Sequence, residues 1–214
     1  MIRSTLASLT VLVLLTNGCK SAYYNTWEKL GWDKRHILVD RVQDAKTDQE
    51  AAKEQFKTTL ERFQELTNFH GGELEVKYRK FSRDFEDCKD RADALSERVS
   101  SVNTVATDLF AEWREELNSY EDSKLRRSSE DQLRQTEERY AQLFKAMTKS
   151  EQSMKPVLSA FNDQVLFLKH NLNSQAISSL QGTASEIEAN VGALIKQMEA
   201  SIDEANAFIS QMKS

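Results

Sequence analysis

Hydrophobic residues recur in this chain at alternating steps of three and four along four long stretches, and no other feature limits the fold so tightly. Residues 38–66 give Leu38, Val42, Ala45, Gln49, Ala52, Phe56, Thr59, Phe63 and Leu66, with two polar slots among nine. Residues 74–113 give Leu74, Tyr78, Phe81, Phe85, Cys88, Ala92, Leu95, Val99, Val102, Ala106, Leu109 and Trp113, with none. Residues 133–171 give Leu133, Thr136, Tyr140, Leu143, Met147, Ser150, Met154, Val157, Phe161, Gln164, Leu168 and Asn171, eight of twelve apolar. Residues 180–212 give Leu180, Ala184, Ile187, Val191, Leu194, Met198, Ser201, Ala205, Phe208 and Met212, nine of ten apolar. At an overall hydrophobic content of 39%, chance would fill about 17 of these 43 slots, and 36 are filled.

A sustained 3.5-residue period predicts long helices with left-handed, coiled-coil-like packing. One Pro and six Gly in 214 residues leave too little punctuation for a sheet protein. The fold class is therefore all-α. His70-Gly71-Gly72, residues 121–128 and Asn171-Leu172-Asn173-Ser174 mark three turns, with Ser128 or Ser129 as the expected cap of the third helix. The predicted helices span about 32–69, 73–121, 128–172 and 175–213. Pro156 falls between the slots of Met154 and Val157. Because the heptad phase carries through it, a kink is expected rather than a boundary.

The width of the apolar stripe separates a dimeric zipper from a bundle. Phe144, Leu158, Val165 and Leu172 flank the third seam, and Ile195, Ile202 and Ile209 repeat at sevens beside the fourth. A two-stranded zipper leaves such residues in water, whereas a bundle buries a face about three residues wide per heptad. An elongated antiparallel four-helix bundle over residues 32–214 is predicted, its middle hairpin overhanging because the second and third helices are longest. A homo-oligomer through the isoleucine stripe stays open.

The first nineteen residues read as an address. Arg3 precedes an uncharged apolar run over residues 5–16, followed by Asn17-Gly18-Cys19, the layout of a signal peptide over residues 1–18. Leu15-Thr16-Asn17-Gly18-Cys19 resembles the lipobox of bacterial lipoproteins, which implies acylation of Cys19 and attachment to a membrane. Lys20 is not the Asp that such proteins carry for inner-membrane retention, so the resemblance favours the outer membrane and a periplasm-facing site. Residues 19–31 would be the lipidated N-terminus and a short aromatic segment. Cys88 is then without a thiol partner in its own chain and is expected to be buried.

From Cys19 onward the chain carries 28 basic and 34 acidic residues, which argues against nucleic acid as a partner. Trp27, Trp32, Trp113, Tyr23, Tyr24 and Tyr120 map to the overhanging end, together with Lys124, Arg126 and Arg127. One reading is an aromatic and basic contact with lipid headgroups or a partner. The other is that residues 22–30 form a short helix packing on Trp113 and Tyr120.

Catalytic chemistry finds no foothold in the sequence. No Gly precedes a Lys, and no HExxH, CxxC or Gly-x-Ser-x-Gly occurs. His70 and His170 fall near the end opposite the overhang, where a metal site with Glu73 is conceivable, but the seam slots hold aliphatic and aromatic residues instead of the Glu-x-x-His pairs of metal-binding bundles. No catalytic residue, metal or cofactor is expected.

Gly18-Cys19, the run Tyr23-Tyr24-Asn25-Thr26-Trp27-Glu28-Lys29-Leu30-Gly31 and the cysteine-poor helical remainder resemble an uncharacterised bacterial family of predicted envelope lipoproteins, a domain of unknown function with long coiled-coil-like helices. The resemblance covers essentially the whole chain and implies no activity. The functional expectation is a membrane-anchored scaffold or adaptor binding an envelope protein; the alternative is a periplasmic chaperone or carrier sheltering apolar cargo.

Overall fold

Four apolar stripes at this spacing can leave water together only if their helices lie side by side, and the computed structural model has that arrangement. It describes residues 34–69, 71 and 73–213. Helix α1 spans Lys34–Thr67, α2 Leu74–Glu116, α3 Ser123–His170 and α4 Ser174–Lys213, with a single 3-10 turn at Leu117–Ser119 after α2. α1 packs on α2 and α4, and α3 packs on the same two, so the four close a ring around one core. With 48 residues, α3 is about 70 Å long.

The periodicity located the core closely. All nine slots of α1 are buried, as are the slots of α2 from Phe81 to Leu109, those of α3 from Leu133 to Phe161, and those of α4 apart from Ala184. Leu74, Tyr78 and Trp113 are half-buried at the two ends of α2. Near the end of α3, Val165 takes the buried position expected for Gln164, and Asn171 and Leu172 lie beyond the helix. Ile202 and Ile209 are buried and Ile195 packs against the core. The isoleucine stripe thus lies largely inside the bundle.

Local chemistry moved two boundaries. α2 stops at Glu116 rather than residue 121, and α3 begins at Ser123 rather than 128, because Asp122 caps it: its carboxylate accepts from the backbone N–H of Lys124 at 2.7 Å and of Leu125 at 3.3 Å. Asp is as good a cap as Ser and comes first in the chain. Ser129, one of the expected caps, instead accepts from Trp113 Nε1 at 2.8 Å. α3 continues through Pro156, whose exposed position lets water reach the Gln152 carbonyl left without an amide partner. At the first turn Gly71 has φ +136°, a region that side chains with a Cβ avoid. Asn173 Oδ1 accepts from the Ala176 N–H at 2.9 Å and caps α4.

Three features fix the register. Near the α1–α2 turn, Phe63, Phe81 and Phe161 from three helices meet with centroids 5.7, 5.8 and 6.4 Å apart. At mid-length, Gln49 Nε2 donates to Ser150 Oγ at 2.6 Å across the core, between α1 and α3. Arg98 Nε binds Asp48 at 2.9 Å, and Arg62 Nε binds Asp84 at 3.2 Å, tying α2 to α1. Between these layers Cys88 has no exposure and lies 3.1 Å from Thr59 Oγ1. Burial pushes its thiol up to about 12.

Three outcomes follow from this core. Phe161→Ala should cost about 3–5 kcal/mol, read as a fall of roughly 10 °C in the far-UV melting temperature, whereas truncating exposed Leu166 should change stability by less than about 0.5 kcal/mol. Ser150→Ala should cost about 1–3 kcal/mol by stranding the Gln49 amide, and Gln49→Leu combined with Ser150→Ala should recover most of that loss in denaturant titrations. Cys88 should react with a disulfide reagent at pH 8 roughly a hundredfold more slowly in the folded protein than in guanidinium. Because its folded pKa lies above the ordinary value of 9.0, its contribution to stability is intact below pH 9 and is lost as pH rises from there toward 12.

Candidate functional site

The helices are unequal, so they cannot end at one level. Lys34 at the start of α1 pairs with Glu112 of α2 at 2.9 Å, and Arg35 donates to the Met212 carbonyl near the end of α4 at 2.5 Å. A guanidinium is well placed at a helix C-terminus, where the dipole is negative. The last turn of α2, the 3-10 turn and the first turns of α3 stand clear of both ends, by about 15 Å at 1.5 Å per residue. The expected overhang is present, at the expected turn.

Below it, all four helices contribute to a cleft of about 370 Å³, lined by Arg35, Trp113, Gln132, Gln135, Thr136, Gln211 and Met212. One turn along α3 from Thr136 lies the end of the aromatic core. Tyr140 packs edge-on against Phe110 at 5.5 Å and Phe208 at 6.1 Å, and its hydroxyl donates to Asn103 Oδ1 at 3.1 Å. Burial holds that phenol well above its ordinary pKa. The cleft is lined by amides, a hydroxyl, one guanidinium, an indole and a thioether. Such a set can recognise rings with polar edges by stacking and hydrogen bonding. None of these lining groups is a general base near neutral pH, and among the described residues no cluster of three or more His, Cys, Asp or Glu could hold a metal ion.

The sequence-derived candidates divide in two. Cys19, Trp27 and Trp32 lie outside the described residues, as do Tyr23, Tyr24 and His70. Lys124, Arg126 and Arg127 occupy the first turns of α3, all exposed, with Arg127 Nε donating to the Ser123 carbonyl at 3.1 Å. Trp113 and Tyr120 converge on Ser129, at 2.8 and 3.4 Å. The cations sit at the positive end of the α3 dipole, among Glu121, Asp122, Glu130 and Asp131. The tip therefore carries no excess of positive charge. Gln132, Gln135 and Gln211 were invisible as site residues, because isolated glutamines on helix surfaces give no sequence signal.

Two further segments frame these observations. No described helix is long and apolar enough to cross a membrane. At the opposite end of the rod, Val76, Leu166, Phe167 and Leu172 are exposed apolar side chains.

No curated protein matches the chain, and no solved structure does. A family described as a protein of unknown function, DUF2959, matches residues 23–212, and the chain, from just ahead of α1 to the last turn of α4, belongs to that family.

Proposed function

We propose that the chain is a lipid-anchored module of the bacterial cell envelope that works by spacing and binding, without catalysis, as a scaffold or adaptor. The observation carrying this reading is how the apolar stripes are used. They pack against one another along the rod, and among the described residues the large exposed apolar ones, Val76, Tyr120, Leu125, Leu166, Phe167 and Leu172, fall near its two ends. A closed rod about 70 Å long supplies reach and two distinct ends. A chaperone or carrier would instead need an apolar surface open along the helices, so that reading has less support.

The tether in this proposal is Cys19, with fourteen residues between it and the first residue of α1. Several acyl chains on one residue hold a protein stably at a bilayer, which a single chain does not. The overhanging tip would then lie nearest the membrane, with the anchor rather than Lys124, Arg126 and Arg127 supplying the attachment. The signal-like leader and Lys20 favour the periplasmic face of the outer membrane. The end bearing Leu166 and Phe167 would project toward an envelope partner.

Fractionation tests the tether. The natural chain should sediment with membranes and carry lipid on Cys19 by mass spectrometry, whereas Cys19→Ser should move most of the protein to the soluble fraction with its helical content unchanged. Retention of Cys19→Ser in the membrane at the natural level would rule the anchor out. In-cell crosslinking of the natural chain should then recover one reproducible envelope protein, and recovery of abundant bystanders alone would count against the adaptor role.

A further inference from the structure

A hydroxyl sealed inside the core on α4 makes no hydrogen bond within the protein: Ser201 has no exposure, and its Oγ has no partner. Its level in the ring is set from two sides. Lys53 of α1 pairs with Glu199 of α4 at 3.6 Å, and because these helices run antiparallel, one turn back along α1 to Gln49 answers to one turn on along α4, past Ser201. Tyr140 of α3 meets Phe208 of α4 at 6.1 Å. From there ten residues along α3 reach Ser150, and the same step along α4 reaches Met198, less than a turn from Ser201. Gln49, Ser150 and Ser201 all fill inward slots and are 2%, 0% and 0% exposed. They form one polar layer across α1, α3 and α4, built around the Gln49–Ser150 bond.

We propose that this layer binds one internal water molecule, which bridges the Ser201 hydroxyl to Gln49 Oε1 and Ser150 Oγ. The hydrogen-bonding inventory supports it first. The bond to Ser150 engages an N–H of the Gln49 amide, while the amide also carries a carbonyl oxygen, and each serine hydroxyl has one donor and two acceptor positions. A water donates twice and accepts twice, so it serves all three groups together, and about three partners is usual for a water in a protein interior. Leaving a hydroxyl stranded in a dry core is costly, and a bridging water relieves that at a modest entropic loss.

Charge and size agree. Among the described residues no charged side chain is buried, so the layer offers dipoles alone, which suit a water and give an ion no countercharge. Ala45 and Ala52 lie one turn to either side of Gln49, and Ala205 lies one turn beyond Ser201, all without exposure. Side chains that end at Cβ leave space beside the layer that a leucine or phenylalanine would fill. The water extends the lock at mid-length from two helices to three, so that α4 shares the register set by Gln49 and Ser150.

Two measurements on the full chain test the site. A crystal structure that resolves ordered water should show one water within hydrogen-bonding distance of both Ser201 Oγ and Gln49 Oε1. A direct bond between those two groups, a Ser201 hydroxyl turned onto the Gln197 carbonyl, or no density between them would overturn the proposal. In thermal unfolding, Ser201→Ala should lower the melting temperature by about 2–4 °C, because the water loses a partner and the Gln49 carbonyl is left underserved. In a Gln49→Leu chain, where no amide remains to be bridged, the same change should lower it by less than about 1 °C or raise it. A hydroxyl that is merely stranded predicts the opposite sign in the natural chain. A rise on Ser201→Ala there, or an equal fall in both backgrounds, would also overturn the proposal.

Discussion

The structure depends on burying one continuous stripe from each of four helices. None of these helices could keep its stripe dry alone or in a pair, because the apolar face is too wide for a two-stranded contact. Phe56, Phe63, Phe81 and Phe161 have no exposure, and neither do Leu38, Leu143, Leu168 and Leu194 on three different helices. Removing any one helix would open the whole length of its two neighbours. Stability is therefore a property of the ring of four, and the isolated propensity of each helix matters less. The cost of this solution is that a smooth hydrophobic seam tolerates sliding by a heptad.

Specific contacts remove that freedom. The Gln49–Ser150 bond joins helices that face each other across the core, so it forms in one register only. A slip by a turn would strand both groups in a dry interior, which is costly. The large phenylalanine triad near one end has the same effect through volume, since a heptad shift of α2 would put Leu74 or Cys88 in the place of Phe81, and one of α3 would put Met154 or Leu168 in the place of Phe161. Arg98–Asp48 and Arg62–Asp84 add orientation at the edge, where solvent screening keeps each contribution modest.

Most of this was legible before any coordinates. Periodicity identified buried positions such as Val42, Phe85, Met147 and Val191 because one physical rule, an inward face every 3.5 residues, acts alone along a helix interior. It failed at ends, where several weak effects compete. Asp122 displaced Ser128 and Ser129 as a cap by a margin that sequence order alone could not weigh, and Val165 displaced Gln164 near the last turn of α3. The exposed cations at Lys124, Arg126 and Arg127 read as a patch in one dimension, yet in space they share the tip with four carboxylates. The cleft was the least legible part. It is assembled from one or two residues per helix, separated by up to 177 positions in the chain as in the Arg35–Met212 contact, and a linear pattern carries no trace of such a meeting.

Unequal helix length turns this symmetric packing scheme into an object with two different ends. Had α1 and α4 matched α3, the core would be sealed at both ends and the rod would present only a charged surface. Instead α1 has 34 residues and α3 has 48, so one hairpin stands unsupported beside the point where the chain enters. On that hairpin Leu117 and Ser129 stay buried while Tyr120 and Leu125 are exposed, so its inward face is only partly open to water.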